Sequence, residues 1–122
     1  MHRIYAAFGW AMIVLGVVHI FAATRYYEQV TQAALWFVSG GLAMILTGAL
    51  NLLNRTYAHV APGLRRVCVA TNVTMTAFAL ATGLVGRASL SELIIVVGLF
   101  AGATALSVWP PAMAVRARQP GS

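Results

Sequence analysis

The chain has 122 residues, of which 61% are hydrophobic and only 8% are charged. A soluble domain usually carries about 25% charged residues because its surface must stay hydrated, so this composition excludes an ordinary soluble globule and favours a protein embedded in lipid. The net charge of +6 is not accompanied by a basic stripe with interleaved aromatic residues, and we therefore expect no nucleic-acid partner.

Charged residues divide the sequence into four apolar stretches. A hydrocarbon core about 30 Å thick needs roughly 20 apolar residues in helical form. Lipid offers no partner to free backbone groups, so each stretch must be a helix. We predict an all-α fold, an integral membrane four-helix bundle of two antiparallel hairpins in one domain. The predicted helices cover about 4–23, 33–53, 67–85 and 89–108, followed by a cytoplasmic tail over 110–122.

The fourth stretch is long enough to span a bilayer only if its helix begins at Ser89. Ser89-Leu90-Ser91-Glu92 matches the capping box S-x-x-E, in which the two end residues satisfy each other's backbone N–H groups. The carboxylate also favours the positive end of the helix dipole. This motif predicts the start of the fourth helix and a structural role for Glu92.

Small residues recur at helical spacing in all four stretches. Lipid provides no hydrophobic force between helices, so residues that allow close approach mark the faces that pack. The pattern predicts packing within the bundle, although a G-x-x-x-G segment could equally pair two chains. The predicted packing glycines are Gly9 and Gly16, Gly41 and Gly48, Gly83, and Gly98 and Gly102.

The placement of arginine predicts the orientation. All eight basic residues are arginines, and six of them fall on one side of the predicted bundle. Arg25 and Arg87 alone fall on the other side, beside Glu28 and Glu92. The positive-inside rule then places both termini in the cytoplasm. The absence of lysine and the high content of alanine, glycine and valine are typical of a GC-rich bacterial genome, so we expect the chain in a bacterial inner membrane.

Two asparagines lie inside the predicted spans. Asn51 in the second helix and Asn72 in the third lie at similar depths from the cytoplasmic boundary. We expect a hydrogen bond between these helices, which typically contributes about 0.6–2 kcal/mol. The alternative is a polar patch in a substrate path, because intramembrane polar groups are often functional.

His19 lies toward the outer leaflet, three residues after Gly16. It could carry protons, ligate a metal or haem, or contact a quinone or lipid head group. A lone histidine is more often hydrogen-bonded within a bundle. If the outer loops converge, it would belong to a candidate polar site. That site consists of His19, Arg25, Glu28, Arg87 and Glu92.

The sequence favours neither a metal nor a cofactor. Cys68 is the only cysteine and is expected to be a small buried residue. His2 and His59 lie at the inner boundary, a membrane thickness from His19, so no three-histidine site can form within one chain. We expect no cofactor, and the sequence does not indicate which one the protein would bind if it had one.

Three functions remain open at the level of the sequence. The first is a small non-enzymatic accessory or interaction module, whose partners are the bilayer and either a second copy or a larger membrane protein. The second is a transporter of a small or lipophilic solute, acting as a monomer or a dimer, with His19 in the pathway. In size and helix number the chain is similar to small multidrug transporters, but their membrane-embedded glutamate has no counterpart here. The third is a haem- or quinone-associated enzyme.

Overall fold

The computed structural model describes residues 2–109, which form four α-helices joined by short connections. Each helix is long and apolar enough to cross a membrane. The predicted all-α four-helix fold is therefore confirmed, and the chain is a multi-pass membrane protein. The helices are α1 (His2–Tyr26), α2 (Gln32–Tyr57), α3 (Pro62–Val85) and α4 (Leu90–Val108).

Local capping residues explain where the helices begin. Thr31 is the N-cap of α2, and its hydroxyl accepts a hydrogen bond from Ala34 N at 3.2 Å. Ser89 and Glu92 form the predicted capping box of α4, with Ser89 N donating to Glu92 Oε2 at 3.0 Å and Glu92 N donating to Ser89 Oγ at 3.3 Å. These side chains satisfy N–H groups that the first helical turn leaves free.

The helices extend beyond the predicted apolar stretches. α3 begins at Pro62 rather than at 67, and α2 continues to Tyr57 rather than ending at 53. Proline at the first helical position loses no hydrogen bond and already has a helical φ, so the helix starts before the sequence becomes apolar. Arginine is a good helix former, and helices therefore continue through charged residues at the boundary.

α1 and α2 have the most extensive interface in the bundle, and two glycine pairs allow it. A Cβ atom on Gly16 would lie 2.5 Å from the carbonyl oxygen of Gly41, and one on Gly48 would lie 2.5 Å from that of Gly9. Neither site can hold a side chain unless the backbones separate. The two helices therefore approach until their backbones are in contact, as expected for small-residue faces in lipid.

The glycines of the second hairpin behave differently from one another. Gly83 lies against Leu93 of α4, and Gly102 lies against Phe8 of α1, so both are packing positions. Gly98 is exposed, and a Cβ there would meet nothing within 4 Å. Its predicted packing contact has no counterpart among residues 2–109, because Gly98 lies one turn before Gly102, where α1 and α4 leave an open groove between them.

A small apolar core joins the two hairpins. The helices form a ring in which α1 borders α2 and α4, and α3 borders α2 and α4. Each helix contributes at least one of the buried residues at the centre, which are Met12, Met44, Ala79, Phe100 and Ala103. The residues outside this core are predominantly apolar and exposed, as expected for a surface that faces lipid.

Candidate functional site

A cluster of buried polar side chains lies at the arginine-rich end of the bundle, where α1 begins, α2 ends and α3 begins. Every member has a relative exposure of 0–1%. We call this cluster the amide clasp, and it consists of Tyr5, Asn51, Asn54, Cys68 and Asn72.

Asn51 and Asn72 form a reciprocal pair at the centre of the amide clasp. Asn51 Nδ2 donates to Asn72 Oδ1 at 2.8 Å, and Asn72 Nδ2 donates to Asn51 Oδ1 at 2.9 Å. Asn51 Nδ2 also donates to the carbonyl of Thr47 at 2.8 Å. The expected contact between the second and third helices thus consists of two hydrogen bonds, which also join the two hairpins.

Tyr5 connects the asparagine pair to α1, and Cys68 adds a further hydrogen bond from α3. The Tyr5 hydroxyl donates to Asn51 Oδ1 at 2.9 Å and accepts from Asn54 Nδ2 at 2.9 Å. Cys68 Sγ donates to Asn51 Oδ1 at 3.4 Å. Asn51 Oδ1 therefore accepts from three side chains on two other helices.

The sequence did not reveal Tyr5, Asn54 or Cys68 as members of this cluster. Tyr5 lies near a helix end, where aromatic residues usually occupy the lipid interface. Its exposure of 1% shows that it points into the bundle instead. A usable signal was present: Asn54 follows Asn51 by three residues, so the two side chains share one helix face.

One atom of the amide clasp lacks a partner. Asn54 Oδ1 is buried and accepts no hydrogen bond from any residue in 2–109. The other amide and hydroxyl groups bind one another, and the cluster contains no charged side chain. Its chemistry suits the joining of helices, because neutral hydrogen bonds compensate for buried polar groups.

His19 lies at the opposite end of the bundle from the amide clasp. Its ring stacks on Phe37 of α2 with the centroids 3.9 Å apart and the planes 10° from parallel. Tyr26 and Tyr27 lie around the same phenylalanine, with centroids 6.2 and 5.9 Å from it. His19 is half-buried in this aromatic cluster and does not belong to the polar network.

The charged residues of the candidate polar site have separate surroundings. The Glu92 carboxylate binds the first turn of its own helix. Arg87 lies in the α3–α4 turn with a φ of 51°, and Arg25 and Glu28 are exposed in and after the last turn of α1. Within residues 2–109, no ion pair or hydrogen bond joins these side chains to one another or to His19. The predicted convergence of His19, Arg25, Glu28, Arg87 and Glu92 is therefore not present.

Two open apolar grooves run along the sides of α4. One is about 500 Å³ and lies between α1 and α4, where Phe8, Val14 and Gly98 are part of its lining. The other is about 460 Å³ and lies between α3 and α4, where Ala77, Ala101 and Ala105 are part of its lining. His19 lines neither groove. In the part of the chain from 2 to 109, no three histidine, cysteine or acidic side chains are grouped to hold a metal.

We compared the chain with models of protein families, with curated proteins and with solved structures, and none of the three comparisons found a match.

Proposed function

We propose that this protein is a non-enzymatic accessory or interaction module of a larger membrane assembly, and that it binds a transmembrane helix of its partner on the outward face of α4. The observation that carries the proposal is the exposed glycine at position 98, where an added Cβ would meet no atom of residues 2–109 within 4 Å. The face is defined by Ile94, Ile95, Gly98, Ala101 and Ala105.

Glycine in the middle of a helix is unfavourable by about 1 kcal/mol relative to alanine. At Gly16 and Gly48 the close contact between α1 and α2 compensates for this, whereas at Gly98 no such contact is found among the four helices. A helix from another protein could approach closely at Gly98, because small residues are the usual contact points between membrane helices. Ala101 and Ala105 continue the small surface along the same side of α4.

The arrangement of polar groups also supports a binding role over chemistry. The amide clasp is occupied with its own hydrogen bonds, and His19 stacks on an aromatic ring outside both grooves. The grooves beside α4 are apolar, as expected for surfaces that meet helices or lipid chains. A transport role for His19 has no comparable support, because His19 lines neither groove.

The proposal is tested by Gly98→Leu in affinity purification from membranes of the cell that makes the protein, in a mild detergent. We expect the native chain to bring down one partner in fixed stoichiometry, and Gly98→Leu to lose at least nine-tenths of it. Gly63→Leu is the matched control, because Gly63 is also an exposed helical glycine with nothing within 4 Å, but it lies outside the face of α4.

A photo-crosslinking amino acid at position 101 identifies which chain occupies the face. Cross-linking to the same partner that Gly98→Leu releases supports the proposal. Purification of a second copy alone, or equal retention of the partner by Gly98→Leu and Gly63→Leu, contradicts it.

For the location we propose a bacterial inner membrane with both termini in the cytoplasm. Among residues 2–109, four arginines lie at one end of the spans and two at the other, and this bias supports the orientation. Fluorescent-protein and alkaline-phosphatase reporters fused after Ser122 test it. Phosphatase activity at that position would contradict the orientation.

A further inference from the structure

The amide clasp brings three arginine-bearing helix ends together. Arg3 is two residues before Tyr5 on α1, and Arg55 directly follows Asn54 on α2. Arg65 and Arg66 shortly precede Cys68 on α3. The hydrogen bonds of the clasp fix the relative positions of these turns, so the four arginines lie at the same end of the bundle, which we call the positive patch.

No acidic side chain neutralises this patch. The chain has only two acidic residues, Glu28 and Glu92, and both lie at the other end of the bundle, away from these arginines. Arg65 uses its guanidinium within the protein, donating from Nη2 to the carbonyl of Val108 at 3.1 Å at the end of α4. That contact suits a cation at the negative end of a helix dipole.

Arg55 differs from Arg65 because its buried Nε has no acceptor in the described part of the chain. A phosphate outside the protein does not reach this buried atom, but Arg55 as a whole is only partly buried. The other two guanidinium nitrogens, Nη1 and Nη2, carry N–H groups that match two oxygens of a phosphate. At this depth, where α2 leaves the apolar region, the available phosphates are those of lipid head groups.

We propose that the arginine-rich end of the bundle binds the phosphate of an anionic phospholipid, with Arg55 as its principal ligand. Arg3 and Arg66 add to the local positive potential. One arginine near a bilayer surface increases the affinity for anionic lipid by about fivefold, and we expect Arg55 to supply most of this effect, because the exposed charges of Arg3 and Arg66 are screened by salt. This lipid binding requires no partner protein. It can be measured whichever side of the membrane the patch faces, because a symmetric vesicle offers the same lipid on both sides.

Trp109 is a suitable reporter, because it is exposed and directly follows Val108, whose carbonyl Arg65 binds. The full chain carrying Trp10→Phe and Trp36→Phe retains Trp109 as its only tryptophan. It is reconstituted in vesicles of four parts phosphatidylcholine to one part phosphatidylglycerol. A nitroxide near the glycerol backbone of one lipid or the other quenches Trp109. We expect labelled phosphatidylglycerol to associate about fivefold more strongly than labelled phosphatidylcholine.

Arg55→Gln should reduce that ratio to between one and two, while Arg87→Gln, which removes the same charge at the other end, should leave it unchanged. Arg55→Lys keeps the charge but lacks the planar guanidinium, so we expect at least a twofold reduction. If Arg55→Gln fails to fold, as judged by its helicity, Arg55→Lys decides the question by itself.

Equal quenching of the native chain by the two lipids overturns the proposal, as does a ratio unaffected by both substitutions of Arg55. Loss of the preference on adding inorganic phosphate, but not chloride of equal ionic strength, would also overturn it, since the site would then bind free phosphate rather than lipid.

Discussion

Replacing Asn51 by leucine tests whether the amide clasp holds the two hairpins together. Leucine has the same number and branching of side-chain heavy atoms as asparagine but cannot form the three hydrogen bonds that join Asn51 to Tyr5 and Asn72, at 2.8–2.9 Å. Hydrogen bonds between membrane helices average about 0.6 kcal/mol and reach about 1.7 kcal/mol. The substitution also leaves the Tyr5 hydroxyl and the Asn72 amide buried with fewer partners, which adds to the loss. We expect the free energy of unfolding to fall by about 2–4 kcal/mol.

The pair of bonds between Asn51 and Asn72 is isolated by a double-mutant cycle. Asn72→Leu alone should lower the free energy of unfolding by about 1–3 kcal/mol, because it breaks the two amide–amide bonds but leaves the bond from Tyr5. The double variant removes both amides at once, so its loss should be smaller than the two single losses combined by about 1 kcal/mol. Unfolding is measured in mixed micelles by titration with a denaturing detergent, followed by tryptophan fluorescence and far-ultraviolet circular dichroism. Losses that add to within about 0.3 kcal/mol would show that the two amides do not interact, and the amide clasp would be refuted.

Three further predictions concern packing, burial and capping. Gly16→Ala should lower the free energy of unfolding by about 1–3 kcal/mol, because the new Cβ would lie 2.5 Å from the carbonyl oxygen of Gly41. In the same detergent titration Gly98→Ala should be neutral or stabilising. Cys68, with 0% exposure, should resist alkylation by a maleimide in mild detergent and react in denaturing detergent, and fast reaction in the folded protein would contradict its position in the amide clasp. Ser89→Ala should destabilise the start of α4 by about 0.5–2 kcal/mol, seen as faster amide hydrogen exchange in its first turn, and unchanged exchange would argue against the capping box.

The sequence by itself determined the number of helices and the start of α4. Four apolar stretches separated by charges require four spans, because the free energy of transferring a segment into lipid depends on the composition of that segment and not on its neighbours. The capping box at Ser89 and Glu92 is similarly local, since its two hydrogen bonds connect residues three apart. Asn51 and Asn72 could be paired as well, because their depths follow from counting residues.

The tertiary structure decided which faces meet. In a soluble helix the polar side marks the surface, but in a membrane both the lipid-facing and the core-facing sides are apolar, so the rotation of each helix leaves little trace in the sequence. Tyr5 near the start of α1 and Gly98 in a small-residue stripe are examples, since Tyr5 is buried in the bundle and Gly98 is exposed. The same rotation separates His19 from the charged loops and places Tyr5 beside Asn51. Contacts between distant helices depend on rotation and depth together, and only the assembled bundle determines both.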